Sequence, residues 1–411
     1  MHILLVADGR SPITRRWVSA LAALQHRVSL ISSFPCNEPE GVSALHVMPV
    51  AFAGLGGSQI RAARGPSSRR PHQLVSRFRS VFLLGRYYLG PLSLPFYTRR
   101  FRRLVAEIKP DLVHALRIPF EGMLASQTPA SIPLAVTIWG NDLTYHAHGS
   151  PWMKAFTLRT LRRANGLMAD AHRDIRLGQM WGFSPDRPAL VVPGGAGIDL
   201  AEMHHLRAKF AESFADLLPA GVPMVVNPRG FRPGSVRNDV FFQSIPLVLE
   251  RMPKVFFVCT AMAGQAEALK WVQQLKLERH IRLLPFLLQP QLWDLFVRSN
   301  AFVSVSAHDG TPNSFLEGIA CGCFPVVGDI ESLREWVTPG VNGFLVEPDK
   351  PQALADALVI ALDNPDLLAG ASEKNLQIIR QRAEAGLVRA QIEIFYQRLA
   401  GLASTSPTTK L

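Results

Sequence analysis

The sequence predicts an α/β protein of two doubly wound domains, each a parallel sheet with helices on both faces. Three observations lead there. At 411 residues the chain exceeds the usual size of one domain. Short apolar runs alternate with helix-like stretches, the pattern of a parallel sheet covered on both sides. The alternation lapses once, over 193–222, and then restarts.

The first apolar run, 2–7 (HILLVA), has no basic region ahead of it and reads as a strand, not a signal peptide. A turn at Asp8-Gly9-Arg10-Ser11-Pro12 follows, then an amphipathic helix through Leu24 and a strand at 27–32. Further strands are expected at 43–49, 111–115, 132–138, 166–169 and 189–192, with helices near 98–108, 152–164 and 171–181. Pro91 and Pro95 are expected to break any longer helix before residue 98. Pro193-Gly194-Gly195-Ala196-Gly197 and the polar segment carrying Pro219 read as the link between domains. Strands then fit 223–227, 254–259, 281–284, 301–306, 324–327 and 343–346, and helices 366–382 and 385–402 close the chain. The expected domains are 1–200 and 201–384, with 385–411 a closing helix, packed back on the first domain, and a frayed tail.

Hydrophobic residues at 48% can fill two cores, and a net charge of +12 favours anionic partners: nucleic acid, acidic lipid or phosphorylated ligands. No nucleic-acid-binding module is recognisable, so nucleic acid is set aside. No apolar run approaches the roughly 18–20 residues that span a bilayer. Cys36, Cys259, Cys321 and Cys323 show neither zinc spacing nor a disulfide framework, which points to reduced thiols in a cytoplasm.

The most informative stretch is Ala301–Gly328, AFVSVSAHDGTPNSFLEGIACGCFPVVG. It sets a polar turn, Asp309-Gly310-Thr311-Pro312-Asn313, at the carboxyl end of a strand, where parallel sheets bind ligands. Ser314 and Glu317 have capping-box spacing, so Ser314 is expected to begin the next helix. The backbone N–H groups of 313–316 would then offer a seat to a phosphate or sugar hydroxyl. On spacing alone, a plain turn followed by a capping Glu317 fits equally well.

This segment resembles the donor site of the family-4 glycosyltransferases, retaining enzymes of GT-B fold. Their mark is two acidic residues eight positions apart, here Asp309 and Glu317, followed by a segment like Ala320-Cys321-Gly322-Cys323-Phe324-Pro325-Val326-Val327. Asn342-Gly343-Phe344-Leu345-Val346 is similar to a further family strand. The likeness is strong over 224–360 and weak over the first 200 residues. It implies a GT-B fold with two Rossmann-like domains facing a cleft, and a nucleotide-diphosphate sugar as co-substrate with no cofactor. Glu317 would hold the ribose, while Asp309 and the backbone of Gly310, Thr311, Pro312, Asn313 and Ser314 would hold the donor sugar and β-phosphate. Asp309 is one methylene shorter than the family's usual Glu.

The resemblance also implies an Arg and a Lys against the leaving diphosphate. Arg229 stands at the Arg position; the Lys is missing, and Arg237 is taken as its substitute, with Arg232 as runner-up. No Asp-x-Asp triplet occurs, so a metal-free site is expected. On the acceptor side the family's His is replaced by Trp139-Gly140-Asn141-Asp142. Trp139 is a candidate for the sugar pocket and Asp142 for a substrate hydroxyl, beside their plain readings as a buried Trp and a turn Asp. His114, His146 and His148 are weaker candidates. Gly9 and Arg10, in the first turn, are expected to face the acceptor, and Gly197 in the linker to touch the donor. The rival readings are a non-catalytic scaffold on a decayed GT-B fold and a GT-B sugar-nucleotide epimerase.

From Gly41 to Ala106 there is no Asp or Glu, while Arg stands at 61, 64, 69, 70, 77, 79, 86, 99, 100, 102 and 103. Phe78, Phe82, Tyr87, Leu89, Leu92, Leu94 and Phe96 are interleaved with them. That is the composition of an interfacial segment. Residues 61–103 are therefore expected to rest on an anionic membrane, on its cytoplasmic face. The acceptor would be a glycan or lipid-linked molecule of the cell envelope.

Overall fold

The computed structural model describes residues 1–50, 79–209, 214 and 217–404. It divides into two compact units, Met1–Ala196 with Arg389–Leu411, and Gly197–Val388. The closing helix Ala385–Ser404 passes from the second unit to the first.

The first unit carries a seven-stranded sheet in the order β3-β2-β1-β4-β5-β6-β7. The strands are β1 His2–Ala7, β2 Arg27–Ser32, β3 Ala44–Val47, β4 Leu112–Ala115, β5 Leu134–Ile138, β6 Gly166–Ala169 and β7 Ala189–Val191. All pairings are parallel; Ile3, for example, lies between Val28 and Leu112. The central strands are buried on both faces, as a parallel sheet requires. β1 meets β4 at the point where the strand order reverses, which leaves a crevice beyond their carboxyl ends. The closing helix docks through Tyr396, whose hydroxyl shares a 2.6 Å hydrogen bond with His114 Nδ1 on β4.

The second unit repeats the plan with six strands, β10-β9-β8-β11-β12-β13. These are β8 Met224–Asn227, β9 Phe256–Cys259, β10 Ile281–Leu283, β11 Ala301–Ser304, β12 Phe324–Gly328 and β13 Phe344–Val346. Successive residues feed opposite cores: Ala301 and Val303 enter one, Phe302 the other. Phe302 is fully buried against Phe296 and Phe315, and its truncation to Ala would cost about 3–5 kcal/mol. Gly318 lets the helix Asn313–Ala320 close on that ring, since a Cβ there would stand 2.8 Å from Phe302 Cδ2. Here the order reverses between β8 and β11.

One expectation fails in the first unit. A single helix, Arg79–Ile108, runs through Pro91 and Pro95. Pro91 has no N–H for the carbonyl of Tyr87, but Ser150 Oγ donates to that carbonyl at 2.7 Å. The lost helical bond is thus replaced from outside. Arg61, Arg64, Arg69, Arg70, Arg77 and Phe78 lie outside the described residues, as do the side chains of Arg79 and Phe82. Of the segment read as interfacial, Tyr87 and Leu94 are buried and belong to the first core.

Candidate active site

In the second unit the loops after β8 and β11 bring Arg229 and Asp309 together. Arg229 is 9% exposed and its Nη2 donates to Asp309 Oδ2 in an ion pair. Its Nη1 lies 3.4 Å from Ser314 Oγ, while its buried Nε has no hydrogen-bond partner among the described residues. Gly310 N–H donates to Asp309 Oδ1 at 3.1 Å, and Ser332 Oγ to the Asp309 carbonyl at 2.9 Å. Thr311 Oγ1 accepts Trp336 Nε1 at 2.9 Å. Arg232 retains contact with solvent, yet its pKa is pulled down to about 10, first by the Arg229 charge and then by desolvation, with Asp309 opposing. Of the two guanidiniums Arg229 bonds to Asp309, and Arg232 lies within range of both charges.

Arg237, the expected second cation, is bonded away from Asp309. Its Nε and Nη2 donate to the two oxygens of Asp239 at 2.9 and 2.8 Å, in the first turn of the helix Asn238–Arg251. Asp239, two residues on, captures the guanidinium, whereas the Arg229 charge acts on Arg232. Nor does Ser314 begin its helix. Asn313 is the first helical residue and Pro312 the N-cap, without a side-chain cap. Glu317, 3% exposed, is held by other elements: Gln289 Nε2 donates to Oε1 at 2.7 Å and Trp293 Nε1 to Oε2 at 3.2 Å. Gly197 (φ +94°) packs on the chain at residues 383–385, where a Cβ would stand 2.8 Å from Ala385 Cα.

In the first unit a cavity of about 250 Å³ opens at the β1/β4 switch point. Arg10 and Trp139, both anticipated, line it, as do Arg86, Arg117, Glu121 and Phe34. Arg10 donates to both oxygens of Asp8 at 3.0 and 2.9 Å and lies 3.6 Å over the Phe34 ring. Gly9 lies buried beneath the turn, where a Cβ would meet Cys36 Sγ at 2.5 Å. Phe120 takes φ +66°, a strained value for a non-glycine residue, and its ring lies under Arg86 at 4.7 Å.

Asp142 does not touch the cavity. It is wholly buried, and Oδ1 accepts Arg117 Nε and Nη2 at 3.0 and 2.9 Å. Its Oδ2 accepts the N–H groups of Ile118 and Trp139 at 3.1 and 3.2 Å. The contact with a substrate hydroxyl expected of it gives way to a positioning role, holding Arg117 and Trp139 at the cavity wall. Of the three histidines only His146 lines the cavity, sharing a 2.7 Å hydrogen bond with Tyr87 Oη. Burial, then Arg117 and Arg86, lowers its pKa to about 3; burial likewise pushes Tyr87 up to about 12. His114 is enclosed between Tyr396 and Thr137, and His148 packs on Trp181.

Arg117 and Glu121 escaped the sequence reading, although they follow the end of β4, a position that in a parallel sheet points to a ligand. Gln289 and Trp293 carried no such local signal.

Known proteins show the same organisation. The family model "Glycosyl transferases group 1" matches residues 231–364, and "Glycosyl transferase 4-like domain" matches 8–195. A D-inositol 3-phosphate glycosyltransferase of Thermobispora bispora is 35% identical over 92 residues, 22% of this chain and 22% of that protein's length. Among solved structures, a sucrose-phosphate synthase from Thermosynechococcus elongatus superposes with a TM-score of 0.72 at 15% identity, covering 98% of this chain and all of the other. The Anabaena HepE protein in complex with UDP gives 0.66 at 16% identity, covering 97% of this chain and all of the other.

Proposed function

The chain belongs to the group 1 glycosyltransferases, with a 4-like amino-terminal domain, and on that premise we propose that it moves a sugar from a nucleotide diphosphate to an acceptor hydroxyl with retention of configuration. The observation that carries the donor assignment is the Arg229–Asp309 ion pair at the second switch point, with the Arg229 charge acting on Arg232 nearby. Two guanidiniums held close repel each other, and a diphosphate is the ligand that relieves the repulsion. The solved likeness of HepE with UDP supports testing uridine nucleotides first.

In this reading charge builds on the β-phosphate as the bond from the sugar to its oxygen breaks, and Arg229 and Arg232 stabilise it without a metal. Asp309 and Gly310 N–H hold the donor sugar. Glu317, bonded by Gln289 and Trp293, is held in place to accept a ribose hydroxyl. The acceptor hydroxyl passes its proton to the departing phosphate oxygen as the new C–O bond forms on the same face, so no side-chain base is called for.

The experiment is a thermal-shift panel of UDP-, GDP- and ADP-sugars, since a ligand of the native state raises its melting temperature. Stabilisation by one base series, with sugar transfer to an added acceptor, is expected. No stabilisation by any nucleotide would leave a scaffold on a decayed fold. Release of an epimerised sugar without transfer would make the protein an epimerase.

A membrane-facing acceptor is part of the proposal. On the helix Arg79–Ile108, Leu89, Leu92 and Phe96 are 55%, 41% and 86% exposed, and the exposed Arg99 and Arg103 continue the same stripe at helical spacing. An apolar stripe ending in arginines suits peripheral attachment to an anionic leaflet during envelope polysaccharide or glycolipid synthesis. Among the described residues no helix is long and apolar enough to cross a membrane.

A further inference from the structure

We propose that the cavity of the first unit takes an acceptor bearing an anionic group, a phosphate or carboxylate on a small polyol, and that Arg86 is the residue that selects for it. The inference rests on the glycosyltransferase reading and adds the chemical class of acceptor.

Three guanidiniums line the cavity, and two are already matched: Arg10 by both oxygens of Asp8, Arg117 by Asp142. Arg86 is different. Among the described residues it meets only ring faces, 4.7 Å over Phe120 and 5.8 Å over Phe34, and its buried Nε has no hydrogen-bond partner. Burial pulls its pKa down and outweighs the raising pull of the nearby Glu121.

Glu121 is the carboxyl group that could supply a counter-ion. It is 5% exposed and already accepts the Ser33 hydroxyl; burial raises its pKa against the opposing pull of Ser33, Arg117 and Arg86, and among the described residues no hydrogen bond joins it to Arg86. His146 stays uncharged and bonded to Tyr87, so it neither adds to the positive field nor offsets it. Trp139, also in the cavity lining, has a second buried donor, Nε1, without a hydrogen-bond partner among the described residues. A ligand that satisfies both must bring acceptor atoms, and a desolvated guanidinium rewards a charged acceptor far more than a hydroxyl. The cavity volume, about 250 Å³, lies below the roughly 300–1,000 Å³ of drug-sized ligand pockets, which suits a single polyol ring with its charged substituent better than a glycan chain.

The helix Arg79–Ile108 couples this site to the surface. Arg86 and Tyr87 line the cavity, while Tyr88, Leu89 and Leu92 are exposed. The anionic group could therefore come from a soluble sugar phosphate or from a lipid headgroup, and the test separates the two.

Titration calorimetry on the full chain would compare glucose 6-phosphate with glucose, and myo-inositol 1-phosphate with myo-inositol. In parallel, sedimentation would use phosphatidylinositol and phosphatidylcholine vesicles. Each probe is applied to the native protein, Arg86→Gln and Arg86→Lys. Phosphorylated probes are expected to bind about ten-fold or more tightly than their neutral partners, with the preference lost in Arg86→Gln and partly kept in Arg86→Lys. Preference in the soluble pairs assigns a soluble acceptor; Arg86-dependent sedimentation with phosphatidylinositol alone assigns a headgroup. Equal binding within both pairs and both vesicle types, a preference that survives Arg86→Gln, or no binding of any phosphorylated probe overturns the proposal. UDP titrated into the same samples reports on the second unit. Its binding shows that the variants are folded, and its failure in the native protein would count against the glycosyltransferase reading instead.

Discussion

Arg229 and Asp309, eighty positions apart in sequence, form an ion pair at the carboxyl ends of β8 and β11, and the guanidinium partner is 9% exposed. The pair fixes Arg229, whose charge acts on Arg232. Charge develops on the diphosphate during bond cleavage, so Arg229→Ala should lower kcat more than it raises the donor KM. Initial rates across donor concentrations decide this; a rise in KM at constant kcat would make Arg229 a binding residue only. Activity is expected to persist in chelator. Loss in chelator with recovery on adding Mn²⁺ or Mg²⁺ would overturn the metal-free scheme.

Glu317 is tied to Gln289 and Trp293, so its two roles can be separated. Glu317→Gln keeps the volume but removes the charge, and should weaken UDP binding about ten- to a hundred-fold if ribose hydroxyls bond to it. Gln289→Ala removes the bond to Oε1 without changing the charge, and should leave UDP affinity intact. Calorimetry and melting curves on both variants suffice. An unaltered dissociation constant in Glu317→Gln, with a lowered Tm, would assign the carboxylate to structure alone.

Membrane attachment makes its own demand on the exposed stripe of the helix Arg79–Ile108. Co-sedimentation with anionic vesicles is expected at low salt, weakened at high salt, and weakened by Phe96→Ser and by Arg99→Ser with Arg103→Ser. Each arginine near an anionic leaflet adds about 1 kcal/mol. No sedimentation of the native chain at low salt would remove the membrane from this account.

His114 sets an acid limit. Burial lowers its pKa from 6.5 to about 3, so between those values the unfolded chain takes up a proton that the folded chain refuses. Its contribution to stability is therefore complete above pH 6.5 and falls by about 1.4 kcal/mol per pH unit below it. Melting curves from pH 7.5 to 4.5 should fall less steeply in His114→Gln than in the native protein, even though the variant starts lower. Parallel slopes would rule the buried imidazole out as the titrating group.

The strands were legible because burial on both faces of a parallel sheet demands continuous apolar runs, a local signal. HILLVA, RVSLIS and FPVV carry it unaided. The turn Asp309–Asn313 and the spacing to Glu317 were legible for a related reason: the strand, turn and helix that make that loop are contiguous in the chain. The partners of those residues were not. Arg232 rather than Arg237 joins Arg229 because Asp239 captures Arg237 at the helix start, a competition between neighbours that composition does not resolve. Asp142 turned inward because Arg117 and two backbone N–H groups converge on it from separate loops. The helix through Pro91 persists because Ser150, far along the chain, bonds the orphaned carbonyl. Which strand lies beside which is decided in three dimensions, and the pairing of β1 with β4 and of β8 with β11 assembles each site. By itself the sequence determined the fold class and the chemistry available in each loop. Tertiary structure alone decided which charges meet, because side chains from loops that are distant in sequence become neighbours only where the strand order reverses.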